Sequence, residues 1–197
     1  MRVLRQSEYV TVPWKNGGGL TREILKEPAG AAPFDWRVSL ATIDSAGPFS
    51  AFDGYARSLT LVRGVGVELT FGPHGQAVLS RPGQMVQFDG AWPTSCRLLD
   101  GSSTDLNLIV SKERAEYNSE SVPLSAPRLI SSAGWERTLL CCVSGSIELT
   151  DAAGNVTHLE PVDVAVCTPD DGPVRCNPRH STATHLFVGQ VRRRSGV

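Results

Sequence analysis

Turn-forming residues interrupt this chain too often for long helices. Its 197 residues include 19 glycines and 13 prolines, and few windows between them could hold several uninterrupted helical turns. Short segments rich in Val, Leu, Ile and Thr recur between these turns, for example WRVSLATI (36–43), LNLIV (106–110) and TLLCCV (138–143). Short apolar runs bounded by turn residues are typical of β-strands. The sequence therefore predicts an all-β fold.

The two halves of the chain share one order of predicted strands. In each half, a strand leads through a glycine turn, at Gly64 or Gly145, into an amphipathic strand and then through a proline-marked turn into another strand. Such a repeat is typical of small β-barrels or jelly rolls. We therefore expect two tightly packed barrels, residues 1–112 and 113–197. The first is expected to carry the ligand site and the second, with fewer polar groups at strand centres, to be mainly structural, with the polar stretch SKERAEYN (111–118) as a short helix between them.

Charge and composition argue against several classes of partner. The formal net charge of -1 gives no global attraction to nucleic acid or to an anionic membrane. No apolar stretch approaches the ~20 residues needed to cross a bilayer, and the N-terminus lacks the long apolar segment of a secretory signal. The one dense basic run, RRR at 192–194, is expected to be a solvated tail. No nucleic-acid or membrane partner is expected, and the cytoplasm is the expected location.

Neither the cysteines nor the histidines are spaced like metal ligands. The five cysteines form no CxxC pair, and Cys141, Cys142 and Cys167 lie in apolar strands where buried free thiols are expected. The four histidines are scattered, with no two at alternate strand positions. We therefore expect no metal and no other cofactor.

The segment VPWKNGGGLTREI (12–24) combines three adjacent glycines with a group of functional side chains. Three glycines carry a large entropic cost on folding, so either the backbone adopts torsions that other residues avoid or another group approaches it closely. The segment does not match a phosphate-binding motif. Its lysine precedes the glycines, unlike the lysine of a P-loop, and Arg22 stands where a dinucleotide fingerprint has its last glycine.

Three predicted strands each place a pair of polar residues on one face, because side chains alternate along a strand. The pairs are Thr21 with Glu23, Arg37 with Ser39, and Asp105 with Asn107. They face either solvent or a polar cavity, and the strand pattern leaves both alternatives open. Lys15, Arg37 and Arg57 could supply positive charge to an anionic ligand. Glu23 could act in acid-base chemistry if burial raised its pKa, or serve as a structural partner of Arg37 or Lys15.

Four sequence blocks resemble the HutD/Ves family. They are PWKNGGGLTREI (13–24), WRVSLA (36–41), GPFSAFDGYARSLTLVRGVGVEL (47–69) and DLNLIV (105–110). The resemblance is strong over residues 1–112 and rests on the strand pattern alone beyond them. It implies a bicupin, two cupin-like barrels in one chain, without the metal-binding histidines of catalytic cupins. The HutD branch is associated with histidine utilisation as a regulator that binds N-formylglutamate, and the Ves branch with cold or stress responses.

The resemblance also implies a ligand pocket built from these blocks. Carried over by motif, its residues are Trp14, Lys15, Asn16, Gly17, Thr21, Glu23, Arg37, Ser39, Ser50, Arg57, Asp105 and Asn107. The basic members would meet the two carboxylates of N-formylglutamate, the asparagine and aspartate members its amide, and Trp14 with Phe49 would form an apolar wall. The glycine run would close over the pocket mouth and offer backbone N–H groups to a carboxylate.

Three functions are compatible with these residues. The first is a non-catalytic protein that binds N-formylglutamate or a similar small carboxylate and regulates histidine utilisation. The second is a metal-independent enzyme acting on a small carboxylate, with Glu23 or Asp105 as general base. The third is a Ves-like stress-response or interaction protein. A homodimer is compatible with all three, and fold alone does not decide between them.

Overall fold

The structure is a computed structural model that describes residues 1–14, 17–179 and 184–195. Over these ranges the chain forms β-strands and three short 3-10 helices, Gln6–Glu8, Gly72–His74 and Pro169–Asp171, and no α-helix. The predicted all-β fold is confirmed. None of the helices formed by the described residues is long and apolar enough to cross a membrane.

The strands are numbered in chain order. They are β1 (Arg2–Leu4), β2 (Val10–Pro13), β3 (Gly19–Glu27), β4 (Trp36–Ile43), β5 (Gly47–Pro48), β6 (Tyr55–Arg63), β7 (Val67–Thr70), β8 (Gln76–Leu79), β9 (Met85–Asp89), β10 (Ser95–Leu98), β11 (Ser103–Ser111), β12 (Ala115–Pro123), β13 (Arg128–Ile130), β14 (Arg137–Ser144), β15 (Ile147–Thr150), β16 (Val156–Leu159), β17 (Val164–Cys167), β18 (Val174–Pro178) and β19 (His185–Arg193).

The chain divides into two compact units. One comprises Tyr9–Glu116 with the short segment that begins at Arg194, and is called the site unit below. The other comprises Met1–Glu8 and Tyr117–Arg193, and is called the C-terminal unit. The first eight residues therefore belong to the C-terminal unit, where β1 pairs with β17.

The site unit consists of two antiparallel sheets. One has six strands in the order β2-β3-β4-β11-β6-β9, and the other has four in the order β5-β10-β7-β8. Alternate residues from strands of both sheets form a single apolar cluster, as expected for sheets that face each other. Its buried members are Ile43, Leu59, Leu61, Val67, Leu69, Phe71, Leu79, Phe88 and Cys96.

The C-terminal unit has a five-stranded sheet, β1-β17-β14-β19-β12, and a four-stranded sheet, β13-β18-β15-β16. Its core cluster is apolar, apart from the thiols of Cys142, Cys167 and Cys176. All five cysteines of the chain are free and buried. The buried free thiols predicted from sequence are confirmed.

The strand order of the site unit repeats in the C-terminal unit. Strands β4-β11-β6-β9 correspond to β12-β19-β14-β17, and β5-β10-β7-β8 to β13-β18-β15-β16. The turn glycines also correspond, since Gly64 and Gly145 both have positive φ, 101° and 75°. A Cβ on Gly64 would lie 2.5 Å from the Ser103 Oγ, and one on Gly145 would lie 2.4 Å from the Thr184 Oγ1. The internal repeat is confirmed, but closed barrels are not formed, because each unit has two separate sheets in the described ranges.

One local expectation is wrong and another is correct only in part. Residues 111–118 form the end of β11, a turn and the start of β12 instead of a helix. In that turn the Arg114 Nε donates to the Asp35 carboxylate at 2.9 Å, a contact that stabilises the turn. The basic run at 192–194 is exposed to solvent as expected, but Arg192 and Arg193 are the last residues of β19 rather than part of a tail. The Arg192 guanidinium lies 5.2 Å from the centre of the Trp135 ring, and the Arg194 Nε donates to the Lys112 carbonyl at 3.0 Å.

Candidate functional site

A cavity of about 730 Å³ lies in the site unit. Most of the residues that line it come from β3, β4, β6 and β11 of the six-stranded sheet and from the β5–β6 loop. They are Val12, Pro13, Trp14, Thr21, Arg37, Ser39, Ala41, Pro48, Phe49, Ser50, Phe52, Arg57, Asp105 and Asn107.

Strand register brings the predicted polar pairs together. Asn107 on β11 pairs with Ser39 on β4 and with Leu59 on β6. Asp105 pairs with Leu61 on β6. Paired residues share a face of the sheet, so the face that supplies Leu59 and Leu61 to the core also supplies the polar residues of the cavity. Of the six residues in the predicted pairs, five line the cavity and one, Glu23, does not.

Arg57 is almost completely buried, with 5% of its surface exposed. Its guanidinium carbon lies 5.3 Å from the ring centre of Phe49, 5.4 Å from that of Phe52 and 4.9 Å from that of Phe88. One terminal nitrogen donates to the Ser50 carbonyl at 3.5 Å, while Nε has no hydrogen-bond partner in the ranges that the structure describes. Aromatic faces attract a guanidinium but leave its N–H edge free for an anion.

Burial and a second cation perturb the pKa of Arg57. The value is lowered to about 10, chiefly by loss of solvent and further by Arg37, while Asp105 acts in the opposite direction. Arg57 is therefore a cation at neutral pH, beside another guanidinium that repels it. An anion bound between the two would relieve that repulsion.

Arg37 is the second guanidinium of the cavity. Its carbon lies 5.3 Å from the ring centres of both Phe34 and Phe52, and no described residue hydrogen-bonds to its Nε. Burial lowers its pKa, and Glu23 opposes that effect. Phe52 thus contacts both guanidiniums and fixes their positions in the cavity.

Asp105 and Asn107 form the acceptor side of the cavity. Asp105 is 1% exposed, and neither of its carboxylate oxygens has a hydrogen-bond partner among the described residues. The amide oxygen of Asn107 is also without a partner. Burial raises the pKa of Asp105 to about 7, against the opposing effect of Arg57. Unpartnered buried polar groups are rare and costly in proteins, so their concentration here makes this cavity the candidate functional site.

The rim of the cavity is apolar. The Trp14 Nε1 donates to the Thr21 hydroxyl at 2.8 Å, and its ring meets that of Phe49 edge to face with centres 6.4 Å apart. Val12, Pro13 and Pro48 complete this rim. Apolar walls with a few convergent polar groups are typical of small-molecule sites.

The glycine run takes part in a turn, and Gly17 is not a lining residue. Its N–H donates to the Trp14 carbonyl at 3.1 Å and its φ is 71°, so that N–H is already used within the turn. Gly19 is required by close approach, because a Cβ there would lie 2.1 Å from the carbonyl oxygen of Thr42. Lys15 and Asn16, also predicted as site residues, lie outside the described residues.

Glu23 does not line the cavity either. Its carboxylate lies 3.6 Å from the Lys26 ammonium, and it acts electrostatically on Arg37. This geometry corresponds to the structural alternative considered for Glu23, as a partner of Arg37. A general base must lie within hydrogen-bonding reach of the ligand. The position of Glu23 outside the cavity lining therefore does not favour the acid-base alternative.

Sequence reasoning missed five lining residues, Val12, Pro13, Ala41, Pro48 and Phe52. Ala41 lies two residues beyond Ser39 on β4, so the alternation of side chains that pairs Arg37 with Ser39 would also have identified Ala41. Phe52 could be identified only from the three-dimensional structure, because it contacts guanidiniums from two different strands.

Within the described residues there is no group of three or more His, Cys, Asp or Glu side chains placed to hold a metal ion. The cavity instead combines two guanidiniums with a carboxyl and an amide oxygen. It can donate hydrogen bonds to anionic oxygens through the guanidiniums and accept them from an N–H or O–H group through Asp105 and Asn107.

Known proteins are similar to this chain over most of its length. The family model described as HutD matches residues 6–186. An uncharacterised 21.2 kDa protein in the hutC 3' region of Pseudomonas putida is 36% identical over 161 residues, which are 81% of this chain and 82% of that protein. Protein Ves of Citrobacter koseri is 32% identical over 139 residues, 70% of each chain. The structure of HutD from Pseudomonas fluorescens SBW25 (formate condition) is 30% identical, with a TM-score of 0.83 over 98% of this chain and 99% of that one. This chain therefore belongs to the HutD family.

Proposed function

We propose that this protein binds N-formylglutamate or a similar small carboxylate, without turnover, and regulates histidine utilisation. The observation that carries the proposal is the pair Arg37 and Arg57, which line one cavity and whose Nε donors have no partner within the described part of the chain. Guanidinium groups bind carboxylates through parallel N–H···O hydrogen bonds. Two of them in one cavity suit a ligand with two carboxylates.

The acceptor side of the cavity supports an amide in the ligand. N-formylglutamate carries one amide N–H, and the unpartnered oxygens of Asp105 and Asn107 can accept its hydrogen bond. Trp14 and Phe49 contribute the apolar wall against which the aliphatic part of the ligand packs.

The link to histidine utilisation rests on the family and on the relatives. The chain belongs to the HutD family, and the Pseudomonas putida relative is named for its position in the hutC 3' region. Both names support a role connected with this catabolic system. The relative named Protein Ves supports the alternative of a Ves-like protein.

The two units are the two cupin-like domains of a bicupin in this proposal. The repeated strand order supports the duplication, and the fold is similar to that of cupin-like solved structures. In such a bicupin the site unit has the cavity, and the C-terminal unit, whose core is apolar, serves a structural role.

A metal-independent enzyme is the second candidate function. The observation in its favour is Asp105, because burial raises its pKa to about 7, the range that suits a general base at neutral pH. Glu23, the other candidate base, lies outside the lining residues. An enzyme of this kind would convert a bound carboxylate, whereas the binding protein would return it unchanged.

Thermal denaturation in the presence of EDTA tests the proposal. Native protein is heated with N-formyl-L-glutamate, glutamate, urocanate or histidine over a range of concentrations. A ligand that binds only the folded state adds about 2.7 kcal/mol at a hundredfold excess over its dissociation constant. A selective, saturable increase in Tm with N-formyl-L-glutamate, which chromatography then recovers intact, supports a binding protein. Conversion of the ligand would favour the enzyme, and no shift with any of the four would contradict the proposed ligand.

A further inference from the structure

The charged groups around Asp105 come from three strands. Asp105 lies on β11, which pairs with β4 on one side and β6 on the other. Arg57 from β6 is the cation that acts on it most directly. Arg37 from β4 lines the same cavity and acts on Arg57. The Cys96 thiol lies on β10 of the facing sheet. Burial and the charge of Asp105 raise the pKa of this thiol to about 12, so the thiol stays neutral.

The charges of the described lining residues balance a single negative charge. Arg37 and Arg57 contribute two positive charges and an ionised Asp105 contributes one negative charge. A monoanionic ligand would make this group neutral. A dianion would leave one negative charge in excess inside a largely buried site, which is unfavourable in a medium of low dielectric constant.

A dianion also creates a local conflict at Arg57. A ligand carboxylate bound to this guanidinium would share with Asp105 the cation that opposes the effect of burial on the Asp105 carboxyl. Two carboxylates that share one buried site do not both stay ionised, and one of them takes up a proton. Asp105 is the carboxyl that is wholly enclosed by protein, with 1% of its surface exposed.

We propose that the cavity binds its ligand as a dicarboxylate dianion together with one proton, and that Asp105 holds this proton. The inference rests on the proposed function, since it requires that the cavity binds a carboxylate. In the complex, the Asp105 O–H donates to an oxygen of the ligand, and the positive charges of Arg37 and Arg57 are matched by the two carboxylates. The proton comes from the buffer, and no covalent bond of the ligand changes.

Protonation gives the unpartnered oxygens of Asp105 a defined role. A carboxylate only accepts hydrogen bonds, whereas a carboxylic acid also donates one. Hydrogen bonds of the type O–H···O⁻ are short and strong. The site therefore distinguishes a dianion from the corresponding monoanion by the proton taken up as well as by the contacts made.

Isothermal titration calorimetry of the full-length protein at pH 8 measures this proton. The probes are N-formyl-L-glutamate, a dianion, and its side-chain amide N-formyl-L-glutamine, a monoanion, each titrated in HEPES and in Tris. The heat of ionisation of the two buffers differs, so the difference in binding enthalpy gives the number of protons taken up. We expect about one proton per dianion and close to none for the monoanion, because Asp105 is ionised in the free protein above its pKa of about 7.

Two variants assign the proton. Asp105→Asn should bind the dianion with no proton uptake. In the wild type, linkage to a carboxyl that titrates near pH 7 should lower the affinity about tenfold between about pH 6 and about pH 8, and Asp105→Asn should lack this decrease. Asp89→Asn carries the same substitution at a carboxylate that pairs with Lys112 and does not line the cavity, and should retain the uptake. If Asp105→Asn does not fold, the comparison of the two probes on wild-type protein still decides.

The outcomes separate this inference from the proposed function. Binding of the dianion without proton uptake would overturn the inference and leave the proposed function standing, with Lys15 the first candidate for the missing positive charge. Proton uptake that persists in Asp105→Asn would assign the proton to another group and also overturn it. Binding of neither probe would contradict the proposed function, and the inference with it.

Discussion

Arg57 is the charged residue that opposes the effect of burial on Asp105. Burial raises the pKa of the Asp105 carboxyl to about 7, and Arg57 acts to lower it. In return, Asp105 acts to raise the pKa of Arg57, which burial lowers to about 10. In the described part of the chain, the Nε of Arg57 and both oxygens of Asp105 have no hydrogen-bond partner. A ligand can therefore bind between them without first breaking a protein contact.

Arg57→Met is expected to weaken carboxylate binding by at least about a hundredfold, because a buried charged hydrogen bond contributes on the order of 3 kcal/mol or more. Methionine keeps much of the volume that contacts Phe49, Phe52 and Phe88. Calorimetric titration with N-formyl-L-glutamate gives the affinity. Arg63→Met, the same change at the exposed end of the same strand, is the control and should bind as the wild type does. Equal affinity in both variants would remove Arg57 from the site.

The stability of the ligand-free protein is expected to fall as pH rises from about 4 to about 7. The pKa of Asp105 is raised to about 7 in the folded state from an ordinary value of about 3.9. The folded state therefore binds more protons than the unfolded state in this window, and its free energy of unfolding decreases with pH. The decrease should be on the order of a few kcal/mol and should level off above about pH 7.

Urea denaturation of the wild type and of Asp105→Asn at several pH values checks this prediction. The variant should lack the decrease. Asp89→Asn is the matched control, since the pKa of Asp89 is lowered, chiefly by its hydrogen bond with Lys112, and its contribution has the opposite sign. A wild-type curve parallel to that of Asp105→Asn would show that Asp105 does not titrate in this window.

Glu23→Gln is expected to leave ligand binding intact or to strengthen it by a few-fold. The Glu23 carboxylate acts on Arg37 but does not line the cavity. Its removal frees the guanidinium to interact with an anionic ligand. The same calorimetric titration gives the result, and a hundredfold loss of affinity in a folded variant would mean that Glu23 contacts the ligand.

Gly19→Ala is expected to destabilise the site unit by about 1–3 kcal/mol. The new methyl group would lie 2.1 Å from the Thr42 carbonyl oxygen and 3.3 Å from the Trp14 ring, so β3 and β4 would have to separate. Gly47→Ala is the control, because a Cβ there has no neighbour within 4 Å. Chemical denaturation should show a loss of stability in the first variant only, and equal stability of the two would contradict the packing described at Gly19.

The Trp14–Thr21 hydrogen bond at the cavity rim is expected to contribute about 1 kcal/mol to the stability of the folded protein. Trp14→Phe and Thr21→Val each remove one partner of the 2.8 Å contact. A double-mutant cycle on stability should give a coupling energy of about 0.5–1.5 kcal/mol. Additive effects of the two substitutions would show that the hydrogen bond does not contribute to the stability of the folded protein.

The sequence predicts the fold and most of the polar side of the cavity because both depend on alternation along strands. Arg37, Ser39, Asp105 and Asn107 lie two residues apart in pairs, and strand pairing then brings the pairs together. The repeat of strands around Gly64 and Gly145 follows in the same way from the spacing of turns.

Other features depend on contacts that the sequence does not display. Arg114, in the turn before β12, binds Asp35, which is 79 residues away, and this contact stabilises a turn where the polar segment alone suggested a helix. Phe52 becomes a site residue only through guanidiniums from two strands. Glu23 has the expected strand position, but its ion pair with Lys26 follows from a β-bulge between residues 23 and 25.

A crystal structure of the protein with N-formyl-L-glutamate tests the central claim most directly. The account predicts the ligand in the site-unit cavity, with carboxylate oxygens within hydrogen-bonding distance of Arg37 and Arg57 and its amide N–H directed at Asp105 or Asn107. Ligand bound elsewhere on the protein, or a cavity without ligand in crystals grown at a saturating concentration, would contradict it.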